Sequence, residues 1–380
     1  MEITKTRDPI VNPKEKTGSV NPRNATTHQA KTNPQEQFAS LNYSSEKASK
    51  IFDIVFGMPA AQALHVAHEL TLFEIINQHQ ALSLEEISTI LKIQNRPAQA
   101  LLSMCASLEL VNLNKQHKYE LTDMAKHFLL KESPFYVGGA LDITLMNNEV
   151  YLFKSFKQAL FNNTSQIYQG KELFKTNEEQ EELAKIFTHA MHGKSMAMAN
   201  VWPKKLDLSN HKTFLDIGGG SAAHSIAATL HWDHLNAIVY EQPAVSKVAE
   251  TYINHFGLSQ RIETQVADMW TDPFPHADIH FYSDIFHDWS VEKCQFLIEK
   301  SYQALKSGGR ILIHEMLFDQ NKSGPLSVSA YNIMMLLWTE GGQQFSNHEL
   351  SSILLKAGFT DIQAVSTGFG DWVLLSALKK

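Results

Sequence analysis

The chain is poor in cysteine: Cys105 and Cys294 are the only two among 380 residues. That excludes a disulfide framework and a cysteine-built metal cluster, and it fits a reducing compartment. A basic excess is missing too. There are 33 Lys and Arg against 40 Asp and Glu, a formal charge of −7, which argues against nucleic acid as the main partner. No apolar run approaches the ~20 residues of a membrane span. The opening MEITKTRDPIVNPKEK lacks the apolar core of a signal peptide. The expectation is a cytoplasmic protein with no membrane partner. Residues 1–40 have few large apolar side chains and are rich in Asn, Thr, Lys, Gln and Pro. Burial there cannot offset the entropy of ordering, so a disordered tail is expected. The chain as a whole is 43% hydrophobic and 19% charged, a globular composition, and its length suits two domains.

The first of these domains is expected over residues 41–200. Apolar residues recur at helical spacing over 45–78, with a break expected at Gly57-Met58-Pro59. Ser83 followed by Glu86 reads as a capping box. Two short amphipathic helices follow, split near Asn95-Arg96-Pro97, and LNKQHKYELT (113–122) reads as a small hairpin. Helix, turn, helix and hairpin make a winged-helix pattern. Its second helix, PAQALLSMCASLELV, carries no Lys or Arg, so it has no groups for phosphates and reads as a packing element. Residues 135–200 stay helical. Met191, Met196 and Met198 form a stripe that reads either as core or as pocket lining.

Past residue 200 the pattern changes. KTFLDIGGG, LNAIVYEQ, QRIETQVAD, DIHFYSDIF and GRILIHEML are short β-rich runs separated by helical stretches, the pattern of a parallel sheet with crossover helices. AGFTDIQAVSTGFGDWVLLSAL closes the chain as two strands joined by a Gly-containing turn, an expected antiparallel edge. In FLDIGGGSAAHS, Gly218 and Gly220 permit a tight turn and close approach of a ligand, beside Asp216. Glu241 ends the next strand, where an acid accepts hydrogen bonds from ribose hydroxyls. Both features suit NAD as well as S-adenosylmethionine. Asp268-Met269 after the third strand favours the latter: an aspartate there takes an adenine amino group and Met packs on the ring. Asp216, Glu241, Asp268, His287 and Glu315 fall at the ends of successive strands, where open α/β sheets bind ligands.

From about residue 45 to 380 the chain resembles S-adenosylmethionine-dependent O-methyltransferases of the plant caffeic acid, acetylserotonin and bacterial antibiotic-tailoring type. The resemblance rests on FLDIGGGSA, VYEQPAV, ADMWTDPFPHADIHFYSDIFHDWSVEKC and ALKSGGRILIHEMLFD. It implies an α/β Rossmann-like methyltransferase domain over 201–380, with a mostly parallel seven-stranded sheet and a C-terminal antiparallel hairpin. It also implies an N-terminal, mainly α winged-helix domain that makes a homodimer, a fit to the apolar N-terminal helices. The cofactor is S-adenosylmethionine, leaving as S-adenosylhomocysteine, and the partner a small, usually aromatic, hydroxyl compound.

A phenol has a pKa near ~10 and is little ionised at neutral pH, so transfer of a methyl group to it needs a base. The resemblance puts His287 at the general-base position; the alternative is a histidine capping the following helix. It puts Glu315 after the fifth strand as orienter. Aligned on Gly341-Gly342, a second orienting acid becomes Gln344, which can hydrogen-bond an imidazole without stabilising its cation; Glu340 is a nearby substitute. Two further departures are Ala222, where many relatives carry glycine, and Ser283, where plant relatives often carry a lysine near the cofactor. These departures keep open an alternative, a cofactor-binding enzyme that does not methylate. For the acceptor the resemblance implies Tyr331, Met334, Met335 and Thr339, with polar contacts from Asn147 and Asn148. No metal site is expected, because His224, His231, His234 and His276 lack ligand spacing joined to acids.

Overall fold

The computed structural model describes residues 45–167 and 181–380; the tail expected over 1–40 lies outside them. Helix α1 (Ser45–Glu69) runs through Pro59 without a break, which corrects the expected interruption. A proline removes one helical hydrogen bond and crowds one carbonyl. Here it sits on an exposed stretch, followed by the strong helix formers Ala60, Ala61, Gln62, Ala63 and Leu64, which carry the helix on. Helices α2 (Leu72–His79), α3 (Leu84–Leu91) and α4 (Asn95–Ser107) follow. The capping box at α3 is formed. Ser83 N donates to Glu86 Oε2 at 2.7 Å, and Glu86 N to Ser83 Oγ at 3.2 Å. Strands β1 (Val111–Leu113) and β2 (Tyr119–Leu121) make the antiparallel hairpin, and Leu82 bridges to Tyr119 beside it. Leu72, Phe73, Ile76, Ile87 and Leu102 form the core of this winged-helix-like unit. Helices α5 (Asp123–Phe128), α6 (Gly138–Met146), α7 (Phe153–Asn162) and α8 (Glu181–Ala199) continue the helical part.

Then the strands begin. β3 (Thr213–Ile217), β4 (Asn236–Glu241), β5 (Ile262–Val266), β6 (Ile279–Ser283), β7 (Arg310–Met316), β8 (Thr360–Ser366) and β9 (Trp372–Leu378) build one seven-stranded sheet in the order β5-β4-β3-β6-β7-β9-β8. The first five are parallel, and β9 enters antiparallel between β7 and β8. The central strands are buried on both faces, so TFLDI, IHFYS and RILIHEM read as near-continuous apolar runs. Chain order reverses between β3 and β6. The crevice beyond their carboxyl ends is therefore where this topology places a ligand.

Candidate active site

One continuous cavity of about 510 Å³ opens at that crevice. Its floor is the turn after β3. Gly218 (φ 68°) and Gly220 (φ 56°) are left-handed there, and a Cβ on Gly218 would lie 2.4 Å from Ile285 Cδ1. Ala222 also holds a left-handed φ of 67° and is fully buried, so its methyl is tolerated in a conformation that favours glycine.

Three acids at the ends of β3, β4 and β5 line the cavity. Asp216 is buried and accepts from Ser225 Oγ at 2.7 Å. Burial raises its pKa to about 7, against the hydrogen bonds from Ser225. Glu241 accepts from the backbone of Gln242 at 2.5 Å, and burial likewise raises it to about 7. Asp268 Oδ1 accepts from Trp270 N at 2.8 Å, with Met269 beside it in the wall. Asp216 and Glu241, drawn toward neutrality by burial and hydrogen-bonded to no cation among the described residues, gain from a ligand's O–H and N–H donors. Ser283, at the end of β6, also lines the cavity and is hydrogen-bonded to His314 Nδ1 at 2.8 Å.

The other end is built around the turn after β6. Phe286–Asp288 form one 3₁₀ turn, and Ser290, not His287, caps the next helix by accepting from Lys293 N. That removes the capping alternative for His287. Its Nδ1–H donates to Glu315 Oε2 at 2.6 Å, while Glu315 Oε1 accepts from Ile285 N at 3.0 Å and Phe286 N at 2.9 Å. The carboxylate thus holds both the imidazole and the backbone that presents it. With Nδ1 donating, Nε2 is the acceptor nitrogen in the neutral ring, and Asp288 Oδ1 stands 3.5 Å from it. Burial alone would lower the pKa of His287; Glu315, Asp288 and Asp284 outweigh it and raise the value to about 9. Asp288 is raised by burial, partly opposed by His287, to about 6. Asp284, His287 and Glu315 stand close enough to surround a small cation. Glu315 is already engaged by three N–H groups, an arrangement that orients a histidine.

Of the expected acceptor residues, Tyr331, Met334 and Met335 line the cavity. Thr339 and Asn147 do not. Thr339 Oγ1 donates to Met335 O and accepts from Gly342 N, and Asn147 Nδ2 donates to Ile143 O; both finish helices instead of facing a ligand. Asn148 is exposed and donates to Leu145 O. Gln344 is buried outside the cavity lining. Its two amide atoms have no hydrogen-bond partner among the described residues, so it does not bond the imidazole. Glu340 does not replace it there: its Oε1 accepts from Ser165 N. Of the methionine stripe only Met191 reaches the cavity, while Met196 and Met198 are core.

The sequence shows Asp284 and Asp288 beside His287 but gives neither a role in the site, and it gives no place there to Lys194 of α8, whose Nζ lies 3.2 Å from Asp284 Oδ2. Nor does it single out the walls Tyr151, Phe187 and Trp338. A signal existed for Lys194: it is the one cation in the apolar run IFTHAMHGKSMAMANVW. Helix α8 reaches the site because Gly193 packs directly on the Tyr136 backbone, where a Cβ would sit 1.8 Å from the carbonyl oxygen.

A mostly parallel sheet with an inserted antiparallel strand, a glycine turn, a row of acids at the strand ends and a carboxylate-held histidine define a methyltransferase of the Rossmann-like class. Residues 152–360 match the O-methyltransferase domain family and residues 52–131 the O-methyltransferase dimerisation domain. The chain therefore belongs to the S-adenosylmethionine-dependent O-methyltransferases. It is 28% identical to the 3-hydroxy-5-methyl-1-naphthoate 3-O-methyltransferase of Streptomyces sahachiroi over 316 residues, 82% of this chain and 90% of the relative. It is 28% identical to the acetylserotonin O-methyltransferase of Bos taurus over 325 residues, 82% of this chain and 92% of the relative. The crystal structure of human N-acetylserotonin methyltransferase in complex with S-adenosylmethionine superimposes with a TM-score of 0.78 at 25% identity, covering 90% of this chain and 99% of that one. No helix among the described residues is long and apolar enough to cross a membrane.

Proposed function

We propose that this enzyme methylates a hydroxyl of a small aromatic molecule, with His287 as general base and Glu315 as its orienter. The observation that carries the reading is the 2.6 Å contact from His287 Nδ1 to Glu315, which leaves Nε2 as the acceptor nitrogen. S-adenosylmethionine, when bound, supplies the electrophilic methyl group. Asp216, Gly218, Gly220, Glu241, Asp268 and Met269 are the residues that would hold it, because they form one end of the cavity and its acids want donors.

At the other end, Tyr331, Met334, Met335, Met191, Phe187 and Trp338 offer flat apolar walls that bind a ring and shed water. As the acceptor oxygen is alkylated its proton passes to Nε2 of His287, and the imidazolium is stabilised by the Glu315 carboxylate. Holding the acceptor in line supplies much of the rate. The relatives' printed names, a hydroxynaphthoate and an acetylserotonin methyltransferase, support an aromatic acceptor.

Two further readings belong with this one. The dimerisation-domain match and the exposed Ile51, Phe52, Ile54, Val55 and Phe56 on α1 support a homodimer, which light scattering at micromolar concentration would check. The division of labour falls near residue 200, with residues 41–200 dimerising and 201–380 binding the cofactor; α8 nevertheless lends Met191 and Lys194 to the cavity.

The test is calorimetric titration with S-adenosylhomocysteine, followed by a panel of phenols with wild type and His287→Ala. Micromolar binding lost in Asp268→Ala, with methyl transfer that falls by about 10²–10⁴ in His287→Ala, is the expected result. Binding without transfer to any phenol would favour the non-methylating alternative, which the unpartnered Gln344 keeps in view.

A further inference from the structure

Helix α8 carries a cation into the acceptor end of the cavity. Lys194 Nζ donates to Asp284 Oδ2 at 3.2 Å and to Tyr331 Oη at 3.3 Å. It also lies 5.2 Å from the centroid of the Tyr331 ring and 5.3 Å from that of Trp372. Both groups it holds flank the imidazole. Tyr331 stands edge-on to His287, ring centroids 5.2 Å apart at 83°. Asp284 Oδ1, without a hydrogen-bond partner among the described residues, faces His287 Nδ1 at 3.9 Å. The reaction as assigned uses His287 and Glu315, and nothing in it requires a lysine on α8.

The reason for one lies in the charges. His287 is faced by the carboxylates of Glu315, Asp288 and Asp284, and by the ring of Tyr331. A histidine among three carboxylates holds its proton, whereas a base must first lose it. Lys194 pairs with Asp284 on the side away from the imidazole and also opposes the charge of Asp288. The other titratable groups in its field, His224 and His314, are kept neutral by burial and leave its charge unopposed from that side.

We propose that Lys194 is a positioning residue for methyl transfer: it ties Asp284 and Tyr331 against His287 and supplies the positive charge that lets the imidazole work as a base. This rests on the reading of His287 as that base.

The experiment follows the imidazole directly, by NMR titration of the full chain labelled with ¹⁵N-histidine, the His287 signal being assigned by its loss in His287→Gln. Lys194→Met is expected to move the His287 midpoint upward by about one pH unit, the size of effect a nearby charge has at an effective dielectric of about 20. Lys194→Arg should leave it in place, and Asp284→Asn should move it downward. On an accepted phenol, Lys194→Met should lose about tenfold in kcat at neutral pH, with the deficit shrinking as pH rises. Its affinity for S-adenosylhomocysteine should be retained. A purely structural lysine would lower kcat equally at every pH. An unmoved midpoint in a Lys194→Met protein that still binds S-adenosylhomocysteine overturns the proposal. If that variant does not fold, a midpoint that fails to fall in Asp284→Asn does so. The titration needs no acceptor, so a wild type that methylates no phenol would count against the proposed function and leave this result to be read on its own.

Discussion

Glu315 and His287 are joined at 2.6 Å by a carboxylate whose other oxygen accepts the backbone N–H groups of Ile285 and Phe286. One buried side chain therefore fixes a ring and the turn that bears it. Glu315→Ala should cost stability as well as turnover, because it strands two buried N–H donors at about 1–3 kcal/mol each. Glu315→Gln keeps an acceptor and should be the milder change in urea unfolding, while still losing most activity. Equal stability of Glu315→Ala and wild type would refute this account of the turn.

The charge on His287 gives a pH signature. Its pKa is raised to about 9 in the folded protein, above the ordinary value of ~6.5. The proton is bound more tightly in the native state, so this contribution to stability is present below the unfolded value and is lost as pH rises through about 9. For the reaction the sign is opposite: the base form grows over the same interval. With a neutral acceptor, kcat/KM should climb between neutral pH and about 9 and then level off. A profile flat from neutral pH upward would sink the assignment.

Four buried histidines behave the other way. Burial lowers His192 and His224 to about 4, His280 to about 3, and His314 well below its usual value. The unfolded chain binds these protons first. Stability is therefore fully present above ~6.5 and is lost as pH falls from there toward about 4, by up to ~1.4 kcal/mol per pH unit for each group. Neither ring nitrogen of His280 has a hydrogen-bond partner among the described residues. His280→Leu should be neutral or stabilising by about 1 kcal/mol and should flatten the acid side of the stability curve. Urea titrations across that pH range would show it.

Gly193 is the close-packing point of α8 against Tyr136. Gly193→Ala forces a methyl into a backbone carbonyl, which should cost about 1–3 kcal/mol. It should also displace Met191 and Lys194, raising the KM for the acceptor more than the Kd for S-adenosylhomocysteine. A variant with unchanged acceptor kinetics would show that α8 does not set the chamber.

Much of this was legible in the sequence where the chemistry is local. FLDIGGG and the acids at successive strand ends follow from the strand pattern that a parallel sheet sets in register, whereas the pairing of His287 with Glu315 was available only through the family resemblance. What failed depended on direction or on contacts distant in the chain. Thr339 and Asn147 lay in the right segments, but their side chains turn back to cap their own helices. Gln344 stood at the aligned position, yet no pattern shows that its amide reaches no partner. Gly57-Met58-Pro59 has the local propensity of a break, and the helix formers that follow override it. Lys194 and Asp284 are ninety positions apart, and only tertiary packing brings them together.

The two ends of the cavity come from different stretches of chain. The acid row sits at the rim of the sheet, between residues 216 and 268, while Ile143, Tyr151, Phe187 and Met191 reach the cavity from the helical stretch before the first strand of that sheet and Tyr331, Met334, Met335 and Trp338 from a helix after β7. A change of acceptor would therefore have to be made in both stretches together. Exchange of the helical stretch alone between related enzymes would leave Tyr331, Met334, Met335 and Trp338 in place, so it should shift the choice of hydroxyl compound only in part.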